Sequence, residues 1–209
     1  MIRTVIVEDN LYMQTHFTNL FADDSRFQVV GSFRDAFEAE KACMGNAVDL
    51  VLMDVQTLHN HSGLAAGKRI KESGSRAKVV IVTSLVDPDV LAKAKQGCAD
   101  SLWYKDHGDD DILNVIDRTL SGERIFPDIS PNIELGEKHS ADITPRQLDI
   151  LRRFVMGMTY DEIAEELKLT KNGVRWNLDE IVKKFEFENK HELLAAAIDN
   201  KLIVTTLKE

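Results

Sequence analysis

Cysteine is nearly missing from this chain: Cys43 and Cys98 are the only two. Two thiols cannot form a disulfide framework, so they read as reduced, semi-buried groups of a cytosolic protein, with a redox pair as the alternative. Long apolar runs are missing as well. The longest are strand-length, far below the ~20 residues that a membrane span requires, so no membrane partner is expected. The N-terminus lacks a signal-peptide layout, because Glu8 and Asp9 follow its short apolar run at once. Nor is there an excess of basic charge. Lys and Arg number 26 against 35 Asp and Glu, for a net charge of −9. Split after Leu120, the first part holds 13 basic and 18 acidic residues and the remainder 13 and 17. Neither part is basic overall, so any surface for nucleic acid must be local.

What is present suits two modest domains: 209 residues, 44% hydrophobic and 29% charged. The stretch Asp49-Leu50-Val51-Leu52-Met53-Asp54 reads as a buried parallel strand delivering a carboxylate to the carboxyl end of a sheet, where open α/β sheets place ligands. A turn-forming role is the alternative for Asp54 taken alone. Further strands are expected over residues 2–7, 27–33, 78–82 and 101–104. Helices are expected between them. The first is capped by Asn10, and Tyr12, Phe17, Leu20 and Phe21 recur in it at helical spacing. The second is capped by Asp35 and stopped by Gly45-Asn46. The third begins at Gly63, the fourth opens at Asp87-Pro88 and ends at Gly97, and the fifth spans 109–120. Alternating strands and helices predict a doubly wound, five-stranded parallel sheet. Glu8, Asp9, Asp54, Thr83 and Lys105 all fall at strand ends on one rim.

That set has a definite chemistry. Carboxylates with open positions between them suit Mg²⁺, which keeps several waters and favours phosphate oxygens. Asp54 can accept a phosphoryl group as an acyl phosphate. Lys105 neutralises charge on the transferred oxygens, and Thr83 can hydrogen-bond one of them and report its arrival. Singly, Lys105 also reads as an ordinary ion-pair partner and Thr83 as a strand-end cap. His59, His61 and His107 read as solvated loop histidines, not metal ligands.

In order and spacing, Glu8-Asp9, Asp54, Thr83 and Lys105 resemble the receiver domain of bacterial two-component response regulators, over residues 1–120. The resemblance implies phosphotransfer from a sensor histidine kinase to Asp54. It implies Mg²⁺ held by Glu8, Asp9, Asp54 and the backbone carbonyl of Gln56, and slow self-dephosphorylation tuned at Gln56 and Leu85. Three positions depart from the family: Leu58 stands where proline is usual, Ser84 where a smaller residue is usual, and Leu102 where an aromatic switch residue is usual.

Residues 121–140 read as an aperiodic linker, with Ile125-Phe126 docked on one neighbour. From Thr144 the pattern is helical only. Thr144-Pro145-Arg146-Gln147 and Thr159-Tyr160-Asp161-Glu162 are capping boxes, and Thr170 caps a helix to about Phe185. A last helix is expected near residues 190–200. Residues 159–185 form a helix-turn-helix within an all-α, four-helix domain. Val174, Leu178, Ile181 and Phe185 should face inward, leaving Lys171, Asn172, Arg175, Trp176 and Asp179 outward. Lys171 and Arg175 suit phosphates or guanine, Asn172 suits adenine, and Thr159 and Thr170 sit at helix N-termini suited to phosphate.

Ile143-Thr144-Pro145-Arg146-Gln147, Gly157 to Ala164 and Val174-Arg175 resemble the LuxR-type output domain of NarL/FixJ regulators, here taken as residues 141–209. The resemblance implies binding of double-stranded promoter DNA as a homodimer, often through the last helix, near Glu192–Ile198. Gly173 and Asn177 depart from the usual threonine and histidine. Asp179 stands where relatives are often basic; it repels phosphate but can accept from cytosine N4.

The leading expectation is a cytoplasmic transcription regulator switched by phosphorylation at Asp54, and not an enzyme acting on an outside substrate. An aspartyl-phosphate hydrolase is a competing class, argued against because Gln56 stands where such enzymes carry a second carboxylate. The other is a phosphorylation-independent or protein-binding regulator that uses the first domain for dimerisation.

Overall fold

Leu50-Val51-Leu52-Met53 carries no polar side chain, and a strand of that kind holds only when both faces are covered. In the computed structural model it forms β3 (Leu50–Met53), wholly buried in the middle of a five-stranded parallel sheet. Its companions are β1 (Ile2–Val7), β2 (Phe27–Phe33), β4 (Lys78–Thr83) and β5 (Ser101–Tyr104), in the order β2-β1-β3-β4-β5. The structure describes residues 1–45, 47–107, 111–136 and 138–204. Five helices connect the strands or follow them: α1 (Leu11–Ala22), α2 (Ala36–Gly45), α3 (Gly63–Glu72), α4 (Pro88–Lys93) and α5 (Ile112–Leu120). One face of the sheet, through Ile6, Leu50, Leu52, Val80 and Val82, packs on Phe17 and Phe21 of α1 and Val115 and Ile116 of α5. Helices α2 and α3 lie on the other face. Because the order reverses direction between β1 and β3, a crevice opens at the carboxyl ends of those two strands.

The expected elements are found, with local differences. Asn10 caps α1 by accepting from the Tyr12 and Met13 amides, yet Tyr12 is 81% exposed. A residue in the first turn of a surface helix need not face the core even when its spacing fits. Asp35 accepts from the Phe37 amide at 2.8 Å and caps α2; Asn46, the expected stop, lies outside the described residues. Thr83 is the last residue of β4, within the ladder and paired with Tyr104. Asp111 is the N-cap of α5, and Asp109, the expected start of that helix, lies outside the described residues. Gly97 closes the turn after α4 with φ +112°, a conformation that glycine adopts without strain.

The chain separates into two compact units. Among the described residues, one comprises Met1–Ser84 with Pro88–Ser130, and the other the short segment Leu85–Asp87 with residues 131–204. In the first, the chain beyond α5 runs beside β5: the Leu102 amide donates to the Ile125 carbonyl and the Ile125 amide to Ser101 Oγ. In the second, the stretch expected to be aperiodic contains a small hairpin, β6 (Glu134–Leu135) and β7 (Lys138–His139). Strands of two residues leave no periodicity to detect. Leu135 is buried in the core of that unit with Ile150, Leu151, Ile163, Val174 and Leu178. Four helices follow: α6 (Pro145–Val155), α7 (Tyr160–Leu167), α8 (Lys171–Lys184) and α9 (Lys190–Asp199). Both capping boxes form, at Thr144–Gln147 and at Thr159–Glu162. No helix among the described residues is long and apolar enough to cross a membrane.

Candidate functional site

The pairing of Val7 with Met53 across β1 and β3 sets the next residues, Glu8 and Asp54, side by side at the crevice. Oxygens of Glu8, Asp9 and Asp54 all lie within 4.8 Å of one another. Glu8 and Asp54 are buried, and Asp9 is partly exposed. Lys105, just past β5, reaches across the rim. Its Nζ lies 2.5 Å from Glu8 Oε2 and 2.8 Å from Asp54 Oδ2, and its side chain is 7% exposed. The Lys105 amide donates to the carbonyl of Thr83 at 2.9 Å, which ties the lysine to the end of β4. Asp54 Oδ1 accepts from the Val55 amide at 2.7 Å, so both of its oxygens are oriented. Gln56 forms an isolated antiparallel bridge with Ser62.

Burial pushes the Asp54 carboxyl up to about 7, with the neighbouring Glu8 adding to the rise and Lys105 and the Val55 amide opposing it. Burial disfavours the Lys105 charge too, but Asp54 and Glu8 outweigh it and hold the ammonium above its ordinary value. The donor set is oxygen-only and anionic, with Asp9 partly exposed at its edge. It fits a hard divalent cation that retains its waters better than it fits a closed structural metal site.

The surrounding loop contributes residues that no motif in the sequence singles out. Gly63 opens α3 so close to β3 that a Cβ there would lie 1.8 Å from the Asp54 carbonyl oxygen. Only glycine permits the approach, and its amide donates to the Val55 carbonyl at 2.9 Å. A glycine where the loop after a carboxylate-bearing strand meets a helix is the sequence signal for such an approach. The guanidinium of Arg34 donates to the Asp9 carbonyl, steadying the acidic turn. The Leu58 amide donates to the Arg34 carbonyl at 2.9 Å, a bond that proline cannot make. His61 is not the solvated loop histidine expected from the sequence: its Nδ1 lies 2.8 Å from Asp35 Oδ2, and its ring meets Phe37. His59, edge-on to His61, and His107 are exposed. The two cysteines are free thiols, Cys43 buried and Cys98 partly so.

The second unit presents α8. Val174, Leu178, Ile181 and Phe185 are all buried, as their spacing predicts. Thr170 Oγ1 caps the helix by accepting from the Gly173 amide at 3.0 Å, and a Cβ on Gly173 would lie 3.2 Å from that hydroxyl. Lys171, Asn172, Arg175, Trp176 and Asp179 are exposed. Several of these are paired: Lys171 with Asp161 at 2.6 Å, and Asp179 with Lys190 at 2.7 Å and Arg175 at 3.6 Å. The Thr159 hydroxyl donates to Glu162 at 2.8 Å within its capping box.

Comparison with known families places both units. Residues 4–117 match the response regulator receiver domain, and residues 141–197 match the bacterial regulatory proteins of the luxR family. The chain belongs to the NarL/FixJ family of response regulators. It is 28% identical over 198 residues to the uncharacterized transcriptional regulatory protein YvfU of Bacillus subtilis, covering 94% of this chain and 97% of that one. It is 27% identical to the response regulator UvrY of Escherichia coli K12, covering 97% and 96%. Among solved structures, RcsB from Salmonella enterica serovar Typhimurium, bound to promoter rprA in the presence of phosphomimetic BeF3−, matches with a TM-score of 0.60. The identity is 17%, covering 94% of this chain and 98% of that one, a likeness of fold. Like its relatives, this response regulator joins a receiver to a LuxR-type DNA-binding domain. One departure has a local cause: Leu58 keeps an amide for the Arg34 carbonyl, which proline lacks. Leu102 is buried within β5, and nothing in the structure explains the loss of an aromatic there.

Proposed function

We propose that this response regulator accepts a phosphoryl group on Asp54 from a sensor histidine kinase, and that the phosphorylated chain dimerises and binds promoter DNA through α8. In this reading residues 1–120 are the receiver, 121–140 the linker and 141–209 the DNA-binding domain of a cytoplasmic regulator. The observation that carries the reading is the Asp54 carboxylate, flanked by Glu8 and Asp9 and hydrogen-bonded to Lys105 at 2.8 Å. A carboxylate oxygen attacks phosphorus, the nitrogen–phosphorus bond of the phosphohistidine breaks, and the released imidazole takes up a proton. Glu8, Asp9, Asp54 and the Gln56 carbonyl would hold Mg²⁺, which supplies charge neutralisation to the phosphoryl oxygens. Lys105 supplies the same kind of stabilisation from a buried and already charged position. Thr83, at the end of β4 and bonded through its carbonyl to the Lys105 amide, would donate its hydroxyl to a phosphoryl oxygen. The chain catalyses only its own phosphorylation and slow dephosphorylation.

On the output side, Thr170 and Lys171 at the start of α8 and Thr159 at the start of α7 would contact phosphates, and Asn172, Arg175, Trp176 and Asp179 would face the groove. RcsB was solved on promoter DNA in the presence of a phosphomimetic, and the shared architecture supports the same order of events here. Intact mass after incubation with acetyl phosphate and Mg²⁺ tests the acceptor. The wild type should gain one phosphoryl group, and Asp54→Asn should gain none. Equal labelling of the two would remove Asp54 from the role.

A further inference from the structure

The outward face of α8 has its own period. Asn172, Trp176, Asp179 and Lys183 recur at i, i+4, i+7 and i+11, the spacing of the buried stripe Val174, Leu178, Ile181 and Phe185, and all four are exposed. At the middle of the outward stripe lie Trp176, 61% exposed, and a carboxylate. A carboxylate is an unexpected group on a surface meant for a polyanion, and it is not left loose. Lys190, in the first turn of α9, places Nζ 2.7 Å from Asp179 Oδ1, and Arg175 places Nε 3.6 Å from Oδ2. The Lys190 side chain is only 21% exposed and its ammonium lies over the Tyr160 ring, 5.2 Å from the centroid. Burial opposes its charge, but hydrogen bonds to Asp179 and Tyr160 prevail and hold the ammonium above its ordinary value. Lys190 of α9, itself lying over Tyr160 of α7, and Arg175 of α8 thus converge on a carboxylate that remains 53% exposed.

An ionised carboxylate only accepts hydrogen bonds. In the major groove the base-edge donors are the N4 amine of cytosine and the N6 amine of adenine. Adenine's amine lies between its own N7 and the thymine O4, two acceptors that repel a carboxylate, whereas cytosine's amine has only the guanine O6 of its pair beside it. The two cations beside Asp179 offset its repulsion by the phosphates without occupying all of its lone pairs. We propose that Asp179 is a specificity-determining residue that reads one cytosine in each half-site, with Lys190 as the residue that positions it. The inference rests on α8 being the DNA-reading helix, and it adds which base that helix selects and how.

The test selects binders for the full-length protein, treated with acetyl phosphate and Mg²⁺, from duplexes randomised over about 20 base pairs, enough for two half-sites one helical turn apart. The wild type should enrich a site with an invariant C·G pair in each half. Asp179→Ala should keep the rest of the site and lose about tenfold or more of the discrimination at that pair. Asp179→Asn should move the preference toward A·T, because an amide pairs with adenine N6 and N7. Lys190→Gln should relax the same position alone, and Lys190→Arg should restore it. If the wild type enriches a site and the Asp179 variants bind every duplex more tightly with unchanged base preference, Asp179 only masks Arg175 and Lys190, and the inference falls while α8 stays the reading helix. If the wild type enriches no sequence, the DNA-reading role of α8 falls, and the inference with it.

Discussion

At Gly63 a single hydrogen in place of a methyl group lets α3 start against the backbone of Asp54. Gly63→Ala would put a carbon 1.8 Å from the Asp54 carbonyl oxygen, and because that neighbour is backbone, the strand end must move. The expected cost is about 3 kcal/mol, the upper end for overpacking, together with loss of phosphorylation by acetyl phosphate. Thermal melts and intact mass measure the two effects. Asp54 itself sets a pH dependence. Its folded value is raised from 3.8 to about 7 by burial and by Glu8. The stability linked to that shift is complete below about pH 4 and is lost as pH rises through about 7. In EDTA, the melting temperature of the wild type should therefore fall relative to Asp54→Asn across that interval. Mg²⁺ should recover it at the alkaline end, and should do so only where Asp54 is present. Parallel curves for the two proteins would contradict a buried Asp54 carboxyl raised by its surroundings.

Among the elements, α8 depends on its first turn. Thr170 caps it through the Gly173 amide, so Thr170→Ala should cost about 1 kcal/mol, and Thr170→Ser should recover most of it in the same melt. Lys171 stands next to the cap, tied to Asp161. If it exchanges that partner for a phosphate, Lys171→Gln should lower the slope of log affinity against log salt by about 0.9. An unchanged slope would leave Lys171 paired with Asp161 in the complex. Much at this scale is legible in the sequence, for physical reasons. The run Leu50–Met53 admits little besides a buried strand, the capping boxes at Thr144 and Thr159 announce their own helices, and the spacing of Val174, Leu178, Ile181 and Phe185 fixes which way α8 faces. What escapes the sequence lies in contacts between distant segments. The hairpin at Glu134–His139 is too short to carry a period. The close approach at Gly63 is decided by another element, as is the pairing of His61 with Asp35. Lys190 meets Asp179 across two helices, and no spacing in the chain announces it. Tyr12 fits a helical stripe, yet sits in a first turn that the core does not reach.

For the whole molecule, the two units carry complementary chemistry. The first ends its central strands in an oxygen-lined crevice with a buried lysine, suited to a phosphoryl group. The second sets an exposed helix on a small apolar core, with a net acidic charge over the chain that forces recognition into that local face. Little non-specific affinity is expected from a protein of net charge −9, so control must act on the specific complex. The most direct test is the affinity of the full-length protein for its selected duplex before and after acetyl phosphate and Mg²⁺, compared with Asp54→Asn. Phosphorylation should tighten binding at least tenfold in the wild type, alongside a shift to dimer in gel filtration, and change nothing in the variant. Equal affinity with and without the phosphoryl group on Asp54 would contradict a phosphorylation-driven switch.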